Sequence, residues 1–276
     1  MSWSGTGFFV PDYALMLSIA IVFGVALCLR EAERAGYETG RIFRACLIAI
    51  CSAFVSARLY VVIQDRDYYG THVSEIFQFW KGGLASYGAY AGGVLAAVFA
   101  ARWQRLTVAK FLDCCAPAIA LAMVFGRLGC FLNGCCHGRI SHLPWAVRFP
   151  SDSDPYLAQL GRGLIDSSQT LSLPVHPTQL YEAFYALLLF LFLTWYRKRQ
   201  KFDGELFALL FALYPLGRFV NEIFRDDERG IIFGISLPQF FSLVSIVIAV
   251  SFLLAKNQRW RAAVTASGVS SSGASV

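Results

Sequence analysis

Three stretches of this 276-residue chain, 13–29, 82–101 and 230–255, carry no charged side chain at all. Each is close to the roughly 20 apolar residues with which an α-helix crosses the hydrocarbon layer. Four more segments qualify once one to three charges are admitted: 45–63 with Arg58, 109–132 with Lys110, Asp113 and Arg127, 178–196 with Glu182, and 206–224 with Arg218 and Glu222. Charged residues make up only 15% of the chain and hydrophobic ones 57%, whereas a soluble domain is about 25% charged. A water-soluble globular fold and a disordered chain are both excluded. The pattern predicts an all-α polytopic membrane protein with seven transmembrane helices. Residues 1–261 read as one integral membrane domain. Residues 133–177 exceed what a turn requires and predict a small extracytoplasmic cap between helices four and five. The small polar residues 262–276 predict a disordered cytoplasmic tail. The first twelve residues hold no Lys or Arg, so the first helix lacks the basic start of a cleaved signal peptide and reads as retained.

Basic residues orient the bundle. Of the 24 Lys and Arg, fourteen fall in the connections after helices one, three, five and seven, and six in the opposite connections. The positive-inside rule then puts the N-terminus outside and the C-terminus in the cytoplasm. Orientation and attraction to anionic headgroups account for the net charge of +6 without a nucleic-acid partner. No internal repeat supports an inverted-repeat transporter.

The four remaining arginines are the informative ones. Arg58, Arg127, Arg218 and Arg225, with Glu182 and Glu222, all fall toward the outer ends of their helices. Arg218, Glu222 and Arg225 are spaced to share one helical face, where Glu222 can pair with either arginine. Charges at such depth are expensive unless paired or hydrated and usually face the bundle interior. Arg127 and Arg218 read as functional. Arg58 and Arg225 read equally as interfacial snorkelers or helix clips. Guanidinium presents a planar fork matched to phosphate oxygens, so the chemistry that fits outer-level arginines is a phospholipid headgroup.

The motifs add polar groups at the same level. WKGGLASYGAYAGG, residues 80–93, opens helix three with Gly82 and Gly83, small residues that let a backbone or a ligand approach closely, and with Tyr87, whose phenol can bond a headgroup or join the interfacial aromatic belt. GRLGCFLNGCCHGR, residues 126–139, ends helix four with Asn133, His137 and Arg139 at the membrane exit. Its cysteines form a C-x4-C-C-H pattern with no C-x2-C pair, so no metal site is expected. HPTQLYE, residues 176–182, brings His176, a candidate base because histidine is the residue type of that group suited to proton transfer near neutral pH.

Taken in order, DYALM, ARLYVV, WKGGLASYGAYAGG, GRLGCFLNGCCHGR, HPTQLYE, GRFVNEIFRDDERG and SLPQFFSL resemble the prolipoprotein diacylglyceryl transferase family over about residues 12–256. The resemblance implies transfer of the diacylglyceryl group of phosphatidylglycerol to the thiol of the lipobox cysteine in a prolipoprotein signal peptide. A thioether forms, glycerol phosphate leaves and no cofactor takes part. It also implies that Arg127 and Arg218 are the essential arginines, Tyr13 the tyrosine of the first helix, Gly138 the glycine after the helix-four motif, and Glu222 the partner acid on helix six. Two departures stand out: Tyr87 where many members have histidine, and Cys130 where many have asparagine. A tyrosine is a poor base at neutral pH. The base therefore stays open among Tyr87, His176 and His137, and a non-catalytic phospholipid-binding or transport paralogue is the competing reading.

Overall fold

A computed structural model describes residues 12–78, 85–226, 230–232 and 234–266. Nine α-helices lie within them: α1 (Asp12–Arg34), α2 (Thr39–Gln64), α3 (Arg66–Thr71), α4 (Ser86–Trp103), α5 (Val108–Leu132), α6 (Asp154–Gly161), α7 (Thr178–Tyr196), α8 (Glu205–Asn221) and α9 (Leu237–Ala266). Six of them (α1, α2, α5, α7, α8 and α9) are long and apolar enough to cross a membrane, and α4 has 18 residues. The chain is thus an α-helical, multi-pass membrane protein. Val22, Phe99, Phe184 and Val247 lie on helix surfaces with more than half their area exposed, as a hydrocarbon solvent permits and water does not.

Residues 25–114 form one compact unit, built on the pairing of α2 with α4. Gly88, Gly92 and Gly93 on α4 rest against Ser52, Ala53, Ser56 and Ala57 on α2. A Cβ at Gly92 would overlap Ser56 Oγ and one at Gly88 would overlap the Ser56 carbonyl. With no apolar driving force between helices in lipid, small residues that bring backbones together supply the attraction. Arg58 near the end of α2 is 5% exposed. It donates from Nε to the Ile76 carbonyl at 3.0 Å and from a terminal nitrogen to the Glu75 carbonyl, and its guanidinium lies 5.1 Å over the Tyr69 ring. These bonds fold the 66–78 segment back onto the helix end.

The described residues within 1–24 and 115–276 form the second unit. Its core is Ala116 and Ala120 of α5, Leu189 and Leu193 of α7, and Leu206 and Leu210 of α8. Pro215 inside α8 has no N–H for the Phe211 carbonyl, and Ser245 Oγ of α9 donates to that carbonyl at 2.8 Å. The break in one helix thereby becomes a link to the next.

Two segments differ from the sequence expectation. Residues 230–255 read as one continuous helix. Instead Ile231–Ile232 (β1) and Ile235–Ser236 (β2) form an antiparallel hairpin, and α9 starts at Leu237. β-branched isoleucines favour extended backbone, and Gly234 at φ +80° makes the turn. Ser236 and Gln239 then build a capping box: Ser236 N donates to Gln239 Oε1 at 3.0 Å and Gln239 N to Ser236 Oγ at 3.4 Å. At its other end α9 runs to Ala266, so the first five residues of the expected tail are helical. The remainder, 267–276, lies outside the described residues.

The 133–177 segment is folded. Isolated bridges pair Ile140 and Val147 with Val175 and Pro150 with Leu171. Buried Gln159 of α6 accepts the Leu173 N–H at 2.7 Å, and Tyr156 donates to the Gln169 carbonyl at 2.8 Å.

Candidate functional site

Five charged side chains of the second unit form a continuous ladder. Arg127 of α5 places Nε 2.8 Å from Oε2 of Glu182 on α7, and Arg218 of α8 places Nε 3.3 Å from the other oxygen of the same carboxylate. Just past the end of α8, Glu222 Oε2 lies 2.6 Å from Arg218 Nη1 and 4.0 Å from Arg225 Nε. The side chains of Glu182 and Glu222 are 2% and 7% exposed, and those of Arg127, Arg218 and Arg225 are 17%, 12% and 2% exposed. Burying such ions one at a time costs several kcal/mol each, so the alternation of sign is what makes the cluster tolerable. Among the described residues, three guanidiniums alternate with two carboxylates along these contacts.

The local folding explains the alignment. Helix α8 ends at Asn221, and a 3-10 turn over Glu222–Phe224 delivers Arg225 into extended backbone at ψ 153°. Arg225 thus reaches Glu222 from beyond the helix, whereas its spacing predicted a place on the α8 face. Glu222 is also held by Ser236 Oγ, the cap of α9, which donates to Oε1 at 3.0 Å. Ser236→Ala removes the cap and this bond together, and a loss of about 1–2 kcal/mol in unfolding free energy is expected, measurable by thermal denaturation in detergent. Arg127 donates from Nη2 to the Tyr214 hydroxyl at 3.3 Å.

A loop junction closes the same end. Gly138 N donates to the His176 carbonyl, Arg139 N to the Phe224 carbonyl, and His176 N to the Arg139 carbonyl, all at 2.8 to 3.0 Å. Arg139 Nε also donates to the Arg225 carbonyl at 3.1 Å. His176 sits between the rings of Tyr181 and Phe224, with Nδ1 3.2 Å from the Tyr181 hydroxyl. That hydroxyl in turn accepts the Trp145 indole N–H at 2.8 Å. His137 is buried and turned to the Gly138 carbonyl.

Three thiols lie next to the ladder. The Sγ atoms of Cys130, Cys135 and Cys136 are all within 4.8 Å of one another. The Cys136 thiol is held below its ordinary range by hydrogen bonding with the Cys130 and Cys135 sulfurs and by the Arg225 guanidinium. Tyr13 packs on Gly129, where a Cβ would meet Tyr13 Cδ2 at 3.1 Å, and lies within electrostatic reach of all three thiols and of Arg127.

Among the sequence candidates the structure therefore gathers Arg127, Arg218, Glu222 and Arg225 into one ladder, with Gly138, Arg139 and His176 in the adjoining junction and Tyr13 beside the helix α5 end. Asn133 is exposed just past α5. Arg58 belongs to the 25–114 unit and holds the backbone there. Gly82 and Gly83 lie outside the described residues, as does the side chain of Tyr87. Sequence reasoning undervalued Glu182: it was noted as a charge in an apolar run, yet it is the carboxylate that joins α5 to α8. It also passed over Ser236, whose S-x-x-Q signal was available.

Comparison with known proteins supplies the remaining findings. The family model described as prolipoprotein diacylglyceryl transferase matches residues 3–255. A Clostridium tetani protein called phosphatidylglycerol–prolipoprotein diacylglyceryl transferase is 30% identical over 245 residues, covering 88% of this chain and 92% of its own. Proteins of the same name from Streptococcus pyogenes serotype M3 and Corynebacterium diphtheriae are 33% and 32% identical over 250 and 252 residues. They cover 90% and 89% of this chain and 91% and 88% of their own.

Proposed function

The chain belongs to the prolipoprotein diacylglyceryl transferase family, and from that premise we propose how its charged ladder serves the transfer of diacylglyceryl from phosphatidylglycerol to a prolipoprotein. The observation that carries the reading is that Arg127 of α5 and Arg218 of α8, on two different helices, are held on one buried carboxylate, Glu182. Guanidinium forks match phosphate oxygens two at a time, so such a pair suits a phosphodiester. Arg127 and Arg218 bind the phosphate oxygens, with Glu182 fixing both forks at a common distance. Arg225 and Arg139 extend the positive field toward the loop junction, and Tyr13 lines the approach.

In the reaction the lipobox thiol loses its proton to a base and its sulfur attacks the glyceryl carbon that bears the phosphate. A C–S bond forms as the C–O bond breaks, and glycerol phosphate departs with the electron pair of that bond. Preorganised arginines in a site of low dielectric stabilise the charge as it collects on the leaving phosphate. The proton goes to His176, which is half-buried and oriented by Tyr181, whereas His137 is turned to its own backbone. His176→Ala is expected to slow transfer about 10²–10⁴-fold, while Tyr87→Phe leaves it within a few-fold. Steady-state rates for the two variants check this, and the reverse ranking would reassign the base.

Orientation follows from the basic residues: N-terminus outside, C-terminus cytoplasmic, α4 as the seventh span, and the 133–177 segment outside the bacterial inner membrane. The ladder then lies at the outer leaflet, within reach of a lipid and of a precursor anchored by its signal peptide. The direct test incubates the purified protein with phosphatidylglycerol and a lipobox peptide. Mass spectrometry should show the peptide gaining one diacylglyceryl group. A protein that binds the lipid and yields no adduct would instead be a non-catalytic member of the family.

A further inference from the structure

The three thiols at the end of α5 are not required by the transfer chemistry, and their arrangement is unusual for so short a stretch of chain. Neighbouring residues in extended or helical backbone point their side chains apart, so Cys135 and Cys136 would ordinarily diverge. Here Gly134 at φ +68° and Cys136 at φ +62° fold the loop back over the last turn of α5. A non-glycine residue in that left-handed region is uncommon and needs support from its surroundings. The support is built in. Gln179 Nε2 donates to the Cys135 carbonyl at 2.6 Å and Thr178 Oγ1 to the Cys136 carbonyl at 2.8 Å, and both side chains belong to residues with no exposed surface. Cys135 N closes the turn on the Cys130 carbonyl at 3.1 Å. The first turn of α7 therefore holds the loop so that three sulfurs from two elements converge within 4.8 Å.

We propose that Cys130, Cys135 and Cys136 form a binding site for one soft divalent cation, of the class that prefers thiolate sulfur. Sulfurs bound to a tetrahedral cation at about 2.3 Å lie about 3.8 Å apart, so small side-chain rotations complete the site. Soft thiolate ligands select such ions over hard ones bound by oxygen. Binding releases the thiol protons, and three thiolates on a divalent ion carry one net negative charge. That charge is matched locally: the Arg225 guanidinium hydrogen-bonds the Cys136 sulfur and Arg127 acts electrostatically on Cys130. An open fourth position accepts water or an exogenous thiol. Arg225 and Arg127 also belong to the ladder, but the three ligands and the Gln179 and Thr178 hydrogen bonds that shape their loop do not, so the site does not require that the ladder bind a phospholipid.

The experiment titrates the full-length protein, purified in detergent and reduced with a phosphine that is then removed, with Cd²⁺ as the probe. One equivalent should bind with a thiolate charge-transfer absorbance. Cys130→Ser and Cys136→Ser should each weaken binding at least tenfold, and the double variant Cys28→Ser/Cys46→Ser should leave it unchanged. The latter pair is the control because those two thiols also meet, with their sulfurs 3.7 Å apart. On the unaltered protein, one equivalent of Cd²⁺ should slow alkylation of Cys130, Cys135 and Cys136, counted by peptide mass spectrometry. No saturable absorbance, an absorbance that survives serine at all three positions, or unprotected alkylation of the trio would overturn the proposal.

Discussion

Arg218→Ala should reduce transfer by at least about 10²–10³-fold, the range seen when a single preorganised donor to developing negative charge is removed. Arg218 is the middle rung of the ladder, 3.3 Å from Glu182 and 2.6 Å from Glu222. Its loss removes one of the two guanidiniums held on Glu182, and with it a donor offered to the phosphate. It also strips one partner from each buried carboxylate. Breaking a buried pair in this way costs about 3–5 kcal/mol, so stability falls together with activity. Arg218→Lys separates the two effects. The ammonium restores the charge but has no planar fork with which to span Glu182, Glu222 and a phosphate at once. The lysine variant should recover most of the thermal stability and little of the transfer rate. Both quantities can be read on one preparation, from a melting curve in detergent and from the rate of peptide adduct formation. A folded Arg218→Ala protein with undiminished turnover would remove the ladder from the mechanism.

The helices were readable wherever a local rule governed them. The bounds of α7 match the expected 178–196 because Pro177 suits a helix start and the basic run at 197–199 follows the apolar stretch. The hairpin at 231–236 was hidden because hydropathy is blind to backbone: Gly-Ile-Ile-Phe-Gly-Ile is as apolar as a helix, and only the glycines and β-branched residues hint at a turn. Within the site, Arg127, Arg218 and Glu222 stood out as charges in apolar runs. The i, i+4 spacing already offers the Arg218–Glu222 pair, seen at 2.6 Å, but not the link to Arg127, since Glu182 joins α5 to α8 through tertiary packing that no single-helix periodicity encodes. Arg225 was assigned to a helical face because i, i+3 and i, i+4 spacing assumes that the helix continues. Its end at Asn221 instead brings Arg225 to Glu222 from extended backbone. The thiol trio escaped for a related reason: a spacing rule written for C-x2-C pairs says nothing about a loop turned back by Gly134 and Cys136.

That dependence on loop geometry makes Gly138→Ala the other large expected effect. A Cβ at residue 138 would stand 2.6 Å from the Phe224 carbonyl oxygen, 2.8 Å from the His176 carbonyl oxygen and 2.6 Å from His176 Cβ. Two of those atoms are backbone, so no rotamer change relieves the overlap, and the three strands of the junction must part. Overpacking of this kind costs about 1–3 kcal/mol. The functional penalty should be larger than the thermodynamic one, because the junction carries His176 on one side and Arg225, bridged to Gly138, on the other. Misplacing such groups by about 1 Å costs on the order of 10²-fold in rate. Gly129→Ala provides the contrast. Its Cβ would meet Met16 Cβ and Tyr13 Cδ2 at 3.1 Å, and both are side-chain atoms that can shift by a few tenths of an ångström. The expected order of transfer rates is therefore wild type, then Gly129→Ala, then Gly138→Ala far below, with circular dichroism of all three showing the helices intact. Equal rates for the two alanine variants would mean that the junction does not position the reacting groups.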